Sequence, residues 1–270
     1  MGLEPLLEKQ ESPDRFQRAI VRPPAANFAA GLTTVDLGVP VYARTLEQHK
    51  TYCEALERCG LRLIRLAADA RYPDSTFVED TAVITERCAI LTRPGAPSRR
   101  DEVASISAEL ANFYPAWQSI RPPGTLDGGD VCEAGSHFFI GVSQRTNESG
   151  AHQLAEILGA AGYTSACVDI RRVEGILHLK SGLACLADNQ LAVIEALAQR
   201  EEFRTYDLIR VKAGEEYAAN CIRINEYILM AAGFPAFEKS LRDAGYQTIV
   251  LEMSEFQKMD GGLSCLSLRF

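Results

Sequence analysis

Hydrophobic and polar positions along this chain repeat one order of elements. In the first copy a helix is predicted over residues 45–59, ended by Gly60, because apolar side chains recur there at helical spacing. A strand at 61–66 follows, then a polar loop, and then a hairpin whose strands are predicted at 81–85 and 88–92. Helix, strand, loop and hairpin therefore define the repeating unit.

Four further copies follow along the chain. The strands that precede their loops are predicted at 117–120, 163–170, 206–211 and 246–251. The hairpins begin near residues 81, 130, 182, 221 and 263, a period of roughly 40 to 50 residues. Ser98, with Asp101 three residues on, is expected to cap the helix after the first hairpin. This period indicates an α/β fold in which five ββαβ-type units form a closed radial array of blades.

The two ends of the chain are expected to complete one blade together. The fifth copy stops at Phe270 before its last strand, and a predicted strand at 16–21 can supply the missing partner. Such pairing would leave no open blade edge. We therefore expect a single domain over residues 16–270, without a linker. Residues 1–15 lack the apolar core of a signal peptide and are expected to form a loose tail.

Composition narrows the classes of function. Of 270 residues, 47% are hydrophobic and 24% charged, and the net charge of −8 offers no general attraction for nucleic acid or an anionic membrane. No apolar run approaches the about 18 residues that a membrane-spanning helix needs. The eight cysteines are scattered without a CxxC pair, so a structural metal site is not expected. Without a secretory signal, reduced thiols in a cytoplasmic protein are the natural interpretation.

Candidate chemistry lies in the loops just before the hairpins. These loops carry Glu79, Asp80, Asp127, His178, Asn220 and Cys265. Taken alone, Cys265 would be an inert buried thiol and His178 a core residue. If the copies surround an axis, however, both converge with the carboxylates on one pocket. A Cys–His pair can act as nucleophile and proton shuttle, with Asp127 orienting the imidazole. Gly261 and Gly262, just before Cys265, are expected to free the backbone from normal φ/ψ limits.

Other charged residues indicate what the pocket binds. Glu79 and Asp80 lie between apolar residues, and buried carboxylates require a cationic partner, for which a planar guanidinium is well matched. Arg99 and Arg145 each follow a hairpin. They are either surface charges or, together, a clamp for an α-carboxylate at the pocket mouth.

Six motifs in the order of the chain resemble those of the dimethylarginine dimethylaminohydrolase family. They are FVED at 77–80, TRPGAPSRR at 92–100, LDGGD at 126–130, RTN at 145–147, HLK at 178–180 and the terminal run 260–269. The resemblance covers about Phe16 to Phe270. It implies the guanidine-modifying pentein fold, a five-bladed α/β propeller. The chief departure is Asp127, where some bacterial members have Glu.

The resemblance also implies roles for individual residues. The catalytic set is Cys265 as nucleophile, His178 as general acid and base, and Asp127 as its orienting group. The substrate-binding set is Glu79 and Asp80 on the guanidinium, Arg99 and Arg145 on the α-carboxylate, and Asp74 with the main chain of Leu32 and Met259 around the α-amino group. Leu32 would also lie on a flap over the site.

The implied reaction is hydrolysis of Nω-methylated arginines to citrulline and dimethylamine or methylamine through a covalent cysteine adduct. It needs no metal or organic cofactor, although zinc on Cys265 and His178 could inhibit it. The resemblance further implies a homodimer. One alternative is an arginine or agmatine deiminase, or an amidinotransferase, on the same scaffold. Agmatine has no carboxylate for Arg99 and Arg145. The other alternative is a non-enzymatic pentein binding protein, which would need no Cys–His pair.

Overall fold

The computed structural model describes residues 16–270 and contains five three-stranded sheets, one for each predicted copy. In four sheets an antiparallel hairpin is extended by a strand that pairs in parallel with the hairpin's second strand, and in the fifth the antiparallel pair joins the first and last strands of the described chain. The prediction of a tail over residues 1–15 lies outside the described residues. The five-bladed α/β propeller is confirmed.

The element boundaries follow the predicted order closely. The strands are β1 Arg18–Val21, β2 Arg62–Arg65, β3 Ala82–Ile84, β4 Ala89–Leu91, β5 Gln118–Ser119, β6 Val131–Ala134, β7 His137–Val142, β8 Thr164–Asp169, β9 Leu183–Ala187, β10 Gln190–Ile194, β11 Asp207–Val211, β12 Ile222–Ile224, β13 Tyr227–Ala231, β14 Gln247–Leu251 and β15 Ser267–Arg269. The helices are α1 Tyr42–Arg58, α2 Val103–Leu110, α3 Glu148–Ala160, α4 Pro235–Asp243 and α5 Ser254–Gln257. No helix in the described part of the chain is long and apolar enough to cross a membrane.

The two ends of the described chain close the ring of blades. β15 pairs antiparallel with β1, with Ala19 opposite Arg269 and Val21 opposite Ser267. β1 pairs in parallel with β2 on its other side. The strand expected to complete the fifth blade is therefore supplied by the N-terminal segment, as predicted.

Two local features differ from expectation. The third blade has no α-helix: the segment 195–206 between β10 and β11 holds only turns and the short 3₁₀ helix Glu201–Phe203. This is the shortest connection among the blades, close to the minimum for a parallel crossover. The cap predicted at Ser98 is also wrong. Pro97 starts a 3₁₀ helix that runs directly into α2, so Ser98 is already helical and its side chain makes no cap hydrogen bond.

The inner end of each blade positions the candidate chemistry. A 3₁₀ turn lies shortly before the first strand of every hairpin: Val78–Thr81, Gly128–Asp130, Leu179–Ser181, Glu216–Ala219 and Ser264–Leu266. The first strands themselves line a central channel of about 860 Å³. Buried apolar side chains pack between blades on the outside of this channel and hold the turns together. The repeat therefore gathers five short turns around one axis.

Candidate active site

A small cavity lies beside the inner turns and brings most of the predicted site residues together. Those that line it are Leu32, Asp74, Asp80, Arg99, Arg145, His178, Met259 and Cys265. Phe77, Leu177 and Gly261 supply apolar wall. The cavity volume is about 20 Å³. Asp127 and Glu79 do not line it; Asp127 lies directly behind His178, and Glu79 faces elsewhere.

His178 and Asp127 form the innermost pair of the site. The Nε2 atom of His178 lies 3.0 Å from Oδ2 of Asp127, and both side chains are buried. The other carboxylate oxygen of Asp127 accepts the Gly95 N–H at 2.8 Å, while the Thr146 hydroxyl accepts the Asp127 N–H at 3.1 Å. Asp127 is thus fixed on both sides, which fixes the imidazole plane.

Charges around His178 decide its protonation state. Burial disfavours the imidazolium, but Asp80, Asp130 and Asp127 outweigh burial and raise the pKa of His178 to about 9. His178 is therefore protonated in the resting site at neutral pH. A protonated imidazole in this place can give its proton to a departing amine.

Gly129 explains why the Asp-Gly-Gly-Asp run contains glycine at this point. A Cβ atom on Gly129 would lie 2.8 Å from His178 Nδ1, 2.9 Å from its Cγ and 3.0 Å from Asp80 Oδ1. The Gly129 N–H donates to that same Asp80 oxygen at 2.9 Å. The glycine thus lets the imidazole and a carboxylate pack directly against the main chain.

The turn that carries Cys265 is shaped differently from the prediction. Gly261 and Gly262 do not adopt positive φ; the left-handed residue is Asp260, with φ of 56°. The glycines are required for space instead, because a Cβ on Gly261 would lie 2.3 Å from the Phe77 ring. The Cys265 N–H donates to Gly262 O at 3.2 Å. Close packing, rather than unusual backbone angles, therefore seats the cysteine.

The thiol of Cys265 is protonated at neutral pH. Burial, followed by the nearby charges of Glu79 and Asp80, raises the pKa of Cys265 to about 12. A main-chain hydrogen bond from Gly262 and the charge of Lys180 act in the opposite direction but more weakly. A positive ligand beside the carboxylates would favour the thiolate.

Arg99 is held by two buried carboxylates. Its Nη1 lies 2.5 Å from Asp80 Oδ2, and its Nη2 lies 2.9 Å from Glu102 Oε2 and donates to Phe77 O at 2.9 Å. Its Nε also donates to Glu102. These contacts occupy four of the five guanidinium N–H groups. Asp80 is anionic: burial opposes ionisation, but His178 and Arg99 lower its pKa to about 2.

Glu79 points away from the small cavity, although it is adjacent to Asp80. Its carboxylate contacts Lys180 Nζ at 2.6 Å and Arg269 Nη2 at 3.1 Å, and it accepts the Ser264 hydroxyl at 2.8 Å. Glu79 lines the central channel instead. In this structure its cationic partners are Lys180 and Arg269.

The inner turns interlock in a ring. Asn220 donates to Lys180 O at 2.9 Å and to the Ser264 hydroxyl at 3.1 Å, and its Oδ1 accepts the Ser264 N–H at 3.0 Å. With the Lys180–Glu79 and Ser264–Glu79 contacts, this closes a ring of side chains between the central channel and the small cavity. Ser264, immediately before Cys265, is held by every polar group it has, since Arg269 also donates to its carbonyl at 3.1 Å.

The segment after Gly31 covers the mouth of the cavity. Both carboxylate oxygens of Asp74 accept the Leu32 N–H, at 3.0 and 3.2 Å. Further along, the Thr34 hydroxyl donates to Asp260 at 3.1 Å. Burial raises the pKa of Asp74, against the opposing charge of Arg99. The Thr33 hydroxyl also donates to Lys258 O at 3.0 Å, so polar contacts tie the segment to the cavity rim while its apolar side chains are exposed.

Several important contacts were not anticipated from the sequence. Glu102, Lys180 and Arg269 each pair with a predicted site residue, and Asp130 lies behind His178. Lys180 could have been found from the sequence, because it lies two residues after His178. Arg269 gave no such signal, because an arginine near a chain end is ordinarily a surface charge.

Among the described residues, one group of possible metal-ligating atoms lies within 4.8 Å of one another, on Asp80, Asp127 and His178. These atoms already have protein partners: Asp127 and His178 bond each other, and Asp80 bonds Arg99 and the Gly129 N–H. The group is explained by the hydrogen bonding of the site itself.

A five-bladed propeller whose inner turns carry a cysteine, a histidine and several carboxylates defines the pentein class. The family model for arginine deiminase matches residues 71–230, which include most of this site. The N-terminal domain of a cyanobacterial arginine dihydrolase, 19% identical, superposes with a TM-score of 0.82 over 93% of this chain and 96% of that chain, and thereby shares the fold.

Relatives with higher sequence identity identify the family within this class. N(G),N(G)-dimethylarginine dimethylaminohydrolase from Pseudomonas aeruginosa is 44% identical over 256 residues, covering 94% of this chain and 100% of the relative. The protein of the same name from Streptomyces coelicolor is 33% identical over 94% of this chain and 96% of its own length. A solved structure of the Pseudomonas protein, a cysteine-to-serine mutant complexed with citrulline, has a TM-score of 0.91 over 94% of this chain and 99% of that chain. The chain belongs to the dimethylarginine dimethylaminohydrolase family.

Proposed function

We propose that this protein hydrolyses Nω-methylated arginines to citrulline and dimethylamine or methylamine. The observation that carries the proposal is the meeting of Cys265, protonated His178 and anionic Asp80 in one small cavity, in a chain of this family. A nucleophile, an acid and a cation-binding group are the parts that the reaction needs.

Substrate binding begins with the mouth of the cavity. A volume of about 20 Å³ is close to that of one water molecule, so an amino-acid ligand enters only if the segment after Gly31 moves. The guanidinium then lies against Asp80, while Glu79 stays paired with Lys180 and Arg269 on the channel side. The α-carboxylate is taken by Arg145 and by the remaining N–H of Arg99, and the α-amino group by Asp74 and the main chain of Leu32 and Met259.

Arrival of the cation activates the thiol. The guanidinium offsets the carboxylate charge that raises the pKa of Cys265, so the thiol loses its proton to solvent. The Sγ atom forms a bond to the central guanidinium carbon, which becomes tetrahedral. His178 gives its proton to the methylated nitrogen, the C–N bond breaks, and the amine leaves as dimethylamine or methylamine.

The second half of the reaction releases citrulline. The thiouronium carbon on Cys265 remains electrophilic. His178, now neutral and held by Asp127, takes a proton from water as the water oxygen bonds to that carbon. The C–S bond then breaks, which returns the cysteine sulfur and leaves the ureido group of citrulline. One water is consumed and one amine is produced for each turnover.

We further propose that residues 16–270 act as one catalytic domain in a cytoplasmic homodimer. Support comes from the pairing of β1 with β15, which leaves the two ends of the described chain in one sheet. Analytical ultracentrifugation of the purified protein tests the dimer: a single species at the monomer mass at micromolar concentration would reject it.

The test of function is citrulline release together with the identity of the amine. Asymmetric dimethylarginine, monomethylarginine, arginine and agmatine are offered separately. Dimethylamine from the first, with little ammonia from arginine, is the expected result. Ammonia as the main product would make the protein a deiminase, and no turnover of any of these would favour a binding protein.

Substitutions at Cys265 and His178 test whether these residues carry out the reaction. Cys265→Ser should abolish turnover while substrate still binds by calorimetry, and His178→Asn should lose roughly 10²- to 10⁴-fold in kcat. Cys167→Ser is the matched control, because Cys167 is exposed and does not line the cavity. Full activity in Cys265→Ser would reject the mechanism.

A further inference from the structure

Asp130 is a buried carboxylate that the reaction above does not use. It is fully buried, does not line the small cavity, and lies at the end of the turn Gly128–Asp130. A carboxylate in such a place is costly unless its oxygens have strong partners. The groups that hydrogen-bond to Asp130 therefore indicate its role.

The two oxygens of Asp130 bond to two different loops. Oδ1 accepts the Leu179 N–H at 2.9 Å, and Leu179 is the residue directly after His178. Oδ2 accepts the Ser143 hydroxyl at 2.6 Å. Because one carboxylate bridges both loops, neither can shift without losing a charge-assisted hydrogen bond.

Ser143 connects Asp130 to the loop that carries Arg145. Its Oγ accepts the N–H groups of Arg145 at 2.9 Å and Thr146 at 3.0 Å. The Thr146 hydroxyl in turn accepts the Asp127 N–H at 3.1 Å. The network thus touches the main chain next to His178, at Arg145 and at Asp127.

We propose that Asp130 is a positioning residue that fixes the loops of His178, Arg145 and Asp127 relative to one another. Its negative charge also faces His178, together with those of Asp80 and Asp127. Asp130 therefore supports both the geometry and the protonated form of the imidazole. This inference rests on the proposed function wherever turnover is the readout.

Two substitutions separate the effect of the Asp130 charge on His178 from the effect of the Ser143 hydrogen bonds on the Arg145 loop. Asp130→Asn keeps an oxygen for the Leu179 N–H, but it removes the charge facing His178 and replaces the acceptor of the Ser143 hydroxyl with a donor. Ser143→Ala removes the donor to Asp130 Oδ2 and the acceptor for Arg145 and Thr146, but it leaves the Asp130 carboxyl group in place. Ser240→Ala is the matched control, because Ser240 makes a comparable helix hydrogen bond to Ala236 O in α4.

The expected kinetic effects differ in kind. Ser143→Ala should raise KM for methylarginine about fivefold with kcat within about twofold, and the change should vanish for a methylated agmatine that lacks the carboxylate. Asp130→Asn should lower kcat for both substrates by tenfold or more, roughly the low end for impaired proton transfer. Ser240→Ala should match the wild type.

A measurement independent of turnover completes the test. The imidazole of His178 is titrated by NMR in a Cys265→Ser background, where Asp130→Asn should lower its pKa by about one unit. Unchanged kcat and an unchanged His178 titration in folded Asp130→Asn would overturn the proposal. If Asp130→Asn does not fold, the KM of Ser143→Ala tests the proposal instead: a KM equal to that of the wild type would overturn it. If the wild type turns over none of the substrates, the function fails, and the titration alone decides the role of Asp130.

Discussion

Protonation of His178 should make a measurable contribution to stability, and its pH dependence tests the electrostatics of the site. The imidazole is 7% exposed and faces Asp80, Asp127 and Asp130. Unfolding releases it to water, where its ordinary pKa of 6.5 applies, whereas the folded pKa is about 9. The folded state therefore binds the proton more tightly than the unfolded state, and protonation favours folding.

The size and sign follow from linkage. A difference of about 2.5 pKa units, at 1.36 kcal/mol each, is about 3 kcal/mol. Since the folded pKa is raised, this contribution is fully present below pH 6.5 and is lost as the pH rises through 9. The burial of His178 means that no allowance for solvent screening is needed.

The assay is denaturant unfolding of the wild type and His178→Asn at about pH 6 and at about pH 9.5. The stability difference between the two proteins should shrink by about 3 kcal/mol from the lower to the higher pH. Glu102 also titrates in this range, but its contribution is common to both proteins and cancels in the difference. The pKa of Asp130 is lowered by the imidazolium of His178, so the coupled titration of Asp130 forms part of the measured difference. His152→Asn, on an exposed helical position, is the control. A difference that is the same at both pH values would refute a protonated resting imidazole.

Three further predictions concern the cysteine turn, the glycine turn and the arginine clamp. Alkylation of Cys265 in substrate-free protein, followed by mass spectrometry, should rise about tenfold per pH unit from roughly pH 7 to 10, because the thiol pKa is about 12; a plateau near pH 8 would contradict this. Gly129→Ala should cost about 100-fold or more in kcat, because its Cβ would displace His178, whereas Gly159→Ala, with open space in α3, should be active and slightly more stable. Arg145→Leu should raise KM for methylarginine at least about tenfold and leave that for methylated agmatine unchanged, since only the former has a carboxylate; equal effects on both substrates would remove Arg145 from that role.

Much of the fold was predictable because the same short pattern recurs. A strand, a polar loop and a hairpin at intervals of one blade are local signals, and their repetition fixes the global arrangement. Pairing of 16–21 with the C-terminal strand followed from the need to cover a blade edge. The absence of an α-helix in the third blade was less accessible, because residues 195–206 contain good helix formers in a connection too short to use them.

The site was predictable only in part, because partner choice depends on three-dimensional neighbours. Adjacent carboxylates were expected to share one cation, but Glu79 pairs with Lys180 and Arg269 while Asp80 pairs with Arg99. Within one 3₁₀ turn, neighbouring side chains point in different directions, and here one faces the channel and the other the cavity. A sequence pattern gives the residues at a turn but not the face that each side chain occupies.

The carboxylates near Cys265 account for two properties that look unrelated. Burial, followed by the charges of Glu79 and Asp80, raises the pKa of Cys265, which keeps the thiol protonated and unreactive. The same negative charge favours a cationic ligand over a neutral one. Binding of a guanidinium therefore offsets the carboxylate contribution to the raised thiol pKa, so the thiolate is favoured when the group that it attacks is present. Citrulline, which is uncharged at the ureido group, restores the original field, and the thiol regains its proton when the product is formed.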